Sequence, residues 1–168
     1  ELQLRALNMI VKEMSNVIWV LVGPDEGEWD RLSQSLGELR LRDHVFWTGP
    51  LPRQKCIDAL ADADVFLLTP RHEAHSMAMN EALAVGVPIV LTKSVQFDEA
   101  AAWGAAKIAA GDGESVARAA LEILRNPKLA LGMRSAARRF ANGRLAWSKI
   151  GAVMAERYRQ ILDGTLSR

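Results

Sequence analysis

Val65-Phe66-Leu67-Leu68-Thr69-Pro70-Arg71-His72-Glu73-Ala74-His75-Ser76-Met77-Ala78-Met79-Asn80-Glu81-Ala82-Leu83-Ala84-Val85-Gly86-Val87-Pro88-Ile89-Val90-Leu91 is the stretch on which the fold turns. Its first four residues are apolar and read as a strand, closed by Thr69-Pro70 because proline cannot donate to a ladder. After a polar loop, Ser76 to Val85 reads as a helix stopped by Gly86 and Pro88, and Ile89-Val90-Leu91 is the next strand. Strand, helix and strand in so short a span predict a right-handed crossover unit with parallel strands.

The same alternation extends in both directions. From Leu2, the spacing of Leu4, Leu7, Val11 and Met14 predicts a helix. Val17 to Val22 is apolar at every position, which predicts a strand covered on both faces and ended by Gly23-Pro24. Trp29 to Leu39 reads as a helix, Val45 to Trp47 as a short strand and Arg53 to Ala61 as a helix. Lys107 to Ala109 is a last strand. Beyond it, Val116, Ala119, Ala120, Ile123 and Leu124 share one helix face, and Asn126-Pro127 opens another helix as cap and first residue. A final helix carries Trp147, Ile150, Met154, Tyr158 and Ile161 on one stripe and ends at Gly164. The class that follows is α/β, a doubly wound parallel sheet.

With 168 residues, 49% hydrophobic and 24% charged, the chain has the profile of one soluble globular domain spanning residues 1–168. Net charge is +1, and the 21 Lys and Arg residues are dispersed. Electrostatics therefore gives no reason to propose nucleic acid, and leaves a membrane surface open as a partner. A single cysteine, Cys56, forbids an internal disulfide and makes a reducing, cytoplasmic compartment the default. Apolar runs fall well short of the roughly 20 residues that cross a bilayer. Glu1 stands inside what already reads as a helix, so a preceding segment is expected.

Ligands of open parallel sheets bind beyond the carboxyl ends of the strands, where helix N-termini offer free N–H groups. The loop Gly23-Pro24-Asp25-Glu26-Gly27 has no phosphate-binding glycine spacing and reads as a turn. Gly49-Pro50-Leu51-Pro52 is stiffened by two prolines, so its carbonyls and amides could meet a base edge. The third loop carries the most chemistry. Glu73 lies in it and Glu81 stands eight positions later, about one and a half turns into the helix. Each carboxylate can accept two hydroxyl hydrogen bonds, as a ribose or hexose diol offers them. Between them the amides of His75, Ser76 and Met77 fall at the helix N-terminus, where a phosphate is stabilised.

With these residues in place, the stretch from Thr69 to Val90 resembles the Glu-x7-Glu signature of family-four retaining glycosyltransferases, which have the two-Rossmann-domain GT-B architecture. Val20 to Gly23, Val45 to Gly49, Ala61 to Phe66 and Ala82 to Val90 match the family's order and spacing. The resemblance implies that this is the C-terminal, donor-binding domain. It assigns ribose hydroxyls to Glu81, donor-sugar hydroxyls near the anomeric carbon to Glu73, phosphates to the amides of Ser76 and Met77, a place near the sugar to His75, and the base to the backbone at Leu51. No metal and no cofactor is implied. The implied reaction moves a sugar from a nucleoside diphosphate to an acceptor hydroxyl with configuration kept. Separately, the place of Glu81 opposite the loop at Leu51 leads to the expectation that a uridine or purine nucleoside diphosphate binds through it.

Where the family commonly has Gly-Phe-Gly after the first glutamate, this chain has Ala74-His75-Ser76, a bulkier loop that leaves the donor sugar open. The resemblance also places an Arg and Lys phosphate clamp, the first strand of the domain and an acceptor-binding N-terminal domain upstream of Glu1. The chain is therefore expected to be an inactive fragment, prone to aggregate alone, with the helix at 146–164 crossing back to the N-terminal domain. The expected strand order is 45–47, 17–22, gap, 65–68, 89–91, 107–109. Two other readings stand beside it: a non-catalytic α/β binding module derived from a glycosyltransferase, and a nucleotide-sugar epimerase of the same architecture. Elsewhere, Cys56 reads as a buried packing thiol, His44 and His72 as surface or turn residues, and Met77, Met79 and the five tryptophans as core or interdomain packing.

Overall fold

The computed structural model describes residues 1–70, 73, 76–95 and 97–165. Helices α1 (Leu2–Glu13), α2 (Trp29–Glu38), α3 (Arg53–Asp62) and α4 (Met77–Val85) alternate with strands β1 (Trp19–Leu21), β2 (Val45–Trp47), β3 (Phe66–Leu68) and β4 (Ile89–Thr92). A short α5 (Asp98–Ala102) precedes β5 (Ala106–Ala109). Then come α6 (Gly113–Leu124), α7 (Pro127–Phe140), a π-helical turn at Ala141–Leu145 and α8 (Trp147–Leu162).

All strand pairs are parallel, in two separate ladders. β1 pairs with β2, Val20 opposite Phe46, while β3, β4 and β5 follow in that order with Leu67 opposite Val90 and Val90 opposite Lys107. Within each ladder the neighbours are the expected ones, and no pairing joins β1 to β3, as the expected gap requires.

β4 lies at the centre of the larger ladder and is buried throughout. Its side chains alternate between two cores, as the period-2 geometry of a strand requires. Ile89 and Leu91 join Met79 and Leu83 of α4, Val87 of the turn before β4, and Phe140 of α7 in one cluster. Val90 joins Ala6 and Ile10 of α1 and Val116, Ala120 and Ile123 of α6 in the other. Helices thus cover both faces, which is the doubly wound arrangement. Phe140 anchors the first cluster through edge contacts to Phe97 and Trp103, with ring centroids at 5.5 and 5.6 Å.

α1 connects the two ladders. Its Leu4 and Leu7 pack with Leu36 and Leu41 beside Trp19 and Val45, whereas Ala6 and Ile10 face the β4 cluster. The helix can approach α6 this closely only because residue 113 is glycine: a Cβ there would lie 2.7 Å from the Cβ of Arg5 and 3.2 Å from the amide of Ala6.

Three expectations are corrected. β1 and its partner β2 are covered on one face only: Val20 of β1 is 47% and Phe46 of β2 61% exposed. An unbroken apolar run signals two-sided burial only where elements cover both faces, and α1 and α2 lie on the same side. Of the two expectations for the tryptophans, core or interdomain packing, the core one is corrected, although Trp19 packs half-buried against Leu4, Leu7, Leu36 and Leu41. No tryptophan is buried, Trp147 is 82% exposed, and Trp29 and Trp47 stack on each other at 4.5 Å. Cys56 is half-buried, because α3 contains no fully buried residue. The methionine pair divides as helix geometry dictates, Met79 into the core and Met77 into solvent.

Candidate functional site

The loops after β1 and β2 are tied together. Gly23 N–H donates to the Gly49 carbonyl at 3.1 Å, and Trp47 Nε1–H donates to the Gly23 carbonyl at 2.9 Å. Asp25 Oδ1 accepts from the amides of Gly27, Glu28 and Trp29 at 2.8–3.1 Å. The N-terminus of α2 therefore already holds a carboxylate, so this loop is a turn and not an anion site. Along Gly49-Pro50-Leu51-Pro52, the Gly49 carbonyl also accepts from Thr48 Oγ1 at 2.7 Å. The Leu51 carbonyl accepts a weak contact from Cys56 Sγ at 3.5 Å, and Leu51 itself is half-buried.

The segment between β3 and α4 leaves the sheet through Pro70 and enters the helix at Ser76. Ser76 is buried and serves as N-cap, its Oγ accepting from Met79 N–H at 3.3 Å. Met77 and Ala78 occupy the first two helical positions, where an amide has no acceptor within its own helix. At the far end Gly86, at φ +93°, takes the left-handed conformation that lets the chain turn straight into β4.

Glu73 is half-buried within this segment. Glu81 lies in the second turn of α4, on the face opposite buried Met79, Ala82 and Leu83, with its side chain 27% exposed. Arg53 Nε stands 3.6 Å from Glu81 Oε1. Arg53 is the first residue of α3, two positions after Leu51, so the ion pair sets Glu81 beside the loop assigned to the base. Glu73, Ser76, Met77 and Glu81 follow one another along the adjoining segment. His75 lies outside the described residues, as does His72. Among the described residues no three His, Cys, Asp or Glu side chains cluster as a metal ion would need. Two concave surfaces, one along α8 and one between α1 and α6, include none of these residues.

Residues 1–140 match the family described as glycosyl transferases group 1. The chain belongs to that family. Solved structures place this group 1 glycosyltransferase chain in the C-terminal, Rossmann-like half of the GT-B fold. Sucrose-phosphate synthase from Thermosynechococcus elongatus is 20% identical with a TM-score of 0.82, over 97% of this chain and 43% of that one. HepE of Anabaena, crystallised with UDP, is 21% identical with a TM-score of 0.80, over 92% of this chain and 44% of that one. The C-terminal domain of the group 1 family protein LpcC from Francisella tularensis is 14% identical with a TM-score of 0.74, over 86% and 77%. The chain thus spans less than half the length of the first two. No curated protein matches significantly.

Three residues near the site escaped the sequence reading: Arg53, Thr92 and Ser94. Arg53 acquires meaning only when α3 and α4 pack together. Thr92 ends β4 and Ser94 lies in the 3-10 turn after it, where the sequence carries no sign that the Ser94 hydroxyl reaches the neighbouring loop.

Proposed function

We propose that this chain is the donor-binding half of a two-domain glycosyltransferase that takes a nucleoside-diphosphate sugar and passes the sugar, with retention, to an acceptor hydroxyl. The observation that carries the reading is the position of Glu81 on the outward face of α4, against the residue that follows the Leu51 loop. A nucleoside laid across that junction would meet Leu51 backbone with its base and Glu81 with its ribose diol. Its diphosphate would then run toward the first turn of α4, where the amides at Ser76 and Met77 and the helix dipole favour negative charge. Glu73 and His75 would meet the sugar.

In the reaction, the bond between the anomeric carbon and the diphosphate oxygen breaks with its electron pair leaving on the diphosphate, a bond from the acceptor oxygen forms, and the acceptor proton passes to the departing diphosphate. The charge developing on the diphosphate is what the helix N-terminus stabilises. That HepE has been crystallised with UDP and with UDP-glucose supports a uridine donor for this chain too. The acceptor site, a further phosphate-binding cation and the strand between β1 and β3 belong, in this reading, to the other part of the enzyme, and the isolated chain is inactive. No helix among the described residues is long and apolar enough to cross a membrane, and a cytoplasmic enzyme, with a membrane surface open to its other domain, is the location proposed.

Titration calorimetry with UDP tests the assignment. Glu81→Ala removes charge-assisted bonds to a diol worth about 1.5–3 kcal/mol, which weakens UDP roughly tenfold or more. Unchanged affinity would refute it. Undiminished UDP binding together with no transfer by the full enzyme would instead favour the non-catalytic module.

A further inference from the structure

Two hydroxyls, that of buried Thr92 and that of half-buried Ser94, connect β4 to the segment that carries Glu73. Thr92 is the last residue of β4, buried and paired with Ala109 of β5. Its Oγ1 lies 2.8 Å from Ser94 Oγ, which in turn lies 2.6 Å from the Pro70 carbonyl oxygen. The proton direction follows from the chemistry of the end group. A carbonyl only accepts, so Ser94 spends its one proton on Pro70, and Thr92 must donate to Ser94. The relay runs Thr92 to Ser94 to Pro70, and chained hydroxyls in a shielded setting polarise one another.

Pro70 stands two residues beyond β3 and three before Glu73. It has no N–H, so its carbonyl is the one main-chain group through which the chain can be held at that point. At the other end Ser76 is fixed by its own capping bond. We propose that Ser94, backed by Thr92, is a positioning residue for Glu73: it sets where the chain leaves β3 and hence where that carboxylate stands relative to α4. Glu81 is independent of the relay, because α4 is held by Met79, Ala82 and Leu83 in the core. The relay therefore acts on recognition of the sugar and not of the nucleoside. This inference rests on the donor-site reading above.

The test uses the full-length enzyme and two probes, UDP and UDP-glucose, with both affinities measured by calorimetry; their ratio isolates the sugar. Ser94→Ala is expected to lower that ratio at least threefold, close to the value in Glu73→Gln, with UDP affinity kept within about twofold. Ser94→Thr, which retains the hydroxyl, keeps the wild-type ratio. Adding Ser94→Ala to Glu73→Gln lowers it no further. Should Ser94→Ala fail to fold, Thr92→Val keeps the shape, removes the first donor and is expected to give a smaller drop in the same ratio. A Glu73→Gln effect without a Ser94→Ala or Thr92→Val effect overturns the relay and leaves the donor site standing. Loss of UDP and UDP-glucose affinity in equal measure overturns it as well, and no effect of Glu73→Gln overturns both the relay and the role of Glu73.

Discussion

Arg53 faces Glu81 across the junction of α3 and α4, Nε to Oε1, at 3.6 Å. That distance is an ion pair and too long for a hydrogen bond, and Arg53 is 85% exposed while Glu81 is only 27% exposed. The pair is thus unequal: Glu81 is held by its helix, and Arg53 is free to move aside. A diol that engages both carboxylate oxygens need not break a strong contact. Exposed pairs contribute about 0–1 kcal/mol, so Arg53→Ala is expected to change unfolding stability in urea by less than about 1 kcal/mol. In the same variant, UDP affinity should change far less than in Glu81→Ala. A loss equal to that of Glu81→Ala would show Arg53 to be a ligand contact in its own right.

Glu73 and Glu81 are expected to separate kinetically. Glu73 stands in the segment before α4, at the reacting end of the proposed donor, so its contacts strengthen as the glycosidic bond breaks. Glu73→Gln in the full-length enzyme should lower turnover at least about tenfold and leave UDP affinity nearly unchanged, the pattern of an interaction made in the transition state. Steady-state kinetics beside calorimetry decides it; full turnover would dismiss the role.

The placement of Glu73 before α4 and of Glu81 within it was legible in the sequence, as was most of the frame that holds them. The strands are apolar runs, interrupted only by Thr92 at the end of β4 and Lys107 in β5, so β2 was located to the residue and the other strands to within a few residues. The Asn126-Pro127 start of α7 was equally plain: Asn126 Oδ1 accepts from Leu129 N–H at 3.0 Å with proline at the first position. The five-residue α5 is too short for periodicity to register and went unread. Exposure at Val20, Phe46 and Trp147 was not legible either, because an apolar side chain records a preference for burial and not the presence of a neighbour. The relay through Ser94 crosses between two segments 24 residues apart, a relationship only folding creates.

Gly113 gives a prediction of the opposite kind, one about packing. Its Cβ-free surface admits Arg5 and the Ala6 backbone, and α1 in turn bridges both ladders. Gly113→Ala should gain slightly in helix propensity, yet it forces two helices apart. Overpacking of this sort costs about 1–3 kcal/mol, so net destabilisation is expected in urea unfolding. A stabilised variant would mean that α1 shifts freely and is not the rigid bridge described.

Acid should act on the other end of that contact. Asp112 caps α6, its Oδ1 accepting from Ser115 N–H at 2.7 Å, and the Ser115 amide is the main cause that lowers its pKa below 3.8. A depressed folded-state pKa contributes stability that is present above the unfolded value and is lost as pH falls through the folded one. Asp112→Asn can still cap but cannot titrate there. Its stability should therefore fall less than that of the wild type as pH drops from 5 toward 2, measured as urea midpoints across that range. Parallel curves for the two proteins would remove the cap from the acid response.

The two ladders should also differ in how readily they open. β4 is paired on both edges and buried from Ile89 to Thr92, so its hydrogen-bonded amides exchange only through near-global unfolding. β1 and β2 pair only with each other and leave Val20 and Phe46 open to water, so their amides should exchange at least about tenfold faster, equivalent to a local opening cheaper by 1.4 kcal/mol. The loop after β2 carries Leu51, which the donor-site reading sets against the base. A ligand that binds only the closed form stabilises it in proportion to the logarithm of its concentration. Saturating UDP should therefore slow exchange in β1 and β2 far more than in β5, an edge strand of the other ladder. Hydrogen exchange read by mass spectrometry, with and without UDP, reports both effects. Uniform protection on adding UDP would mean that the nucleotide stabilises the fold as a whole, and protection confined to β5 would place its site elsewhere.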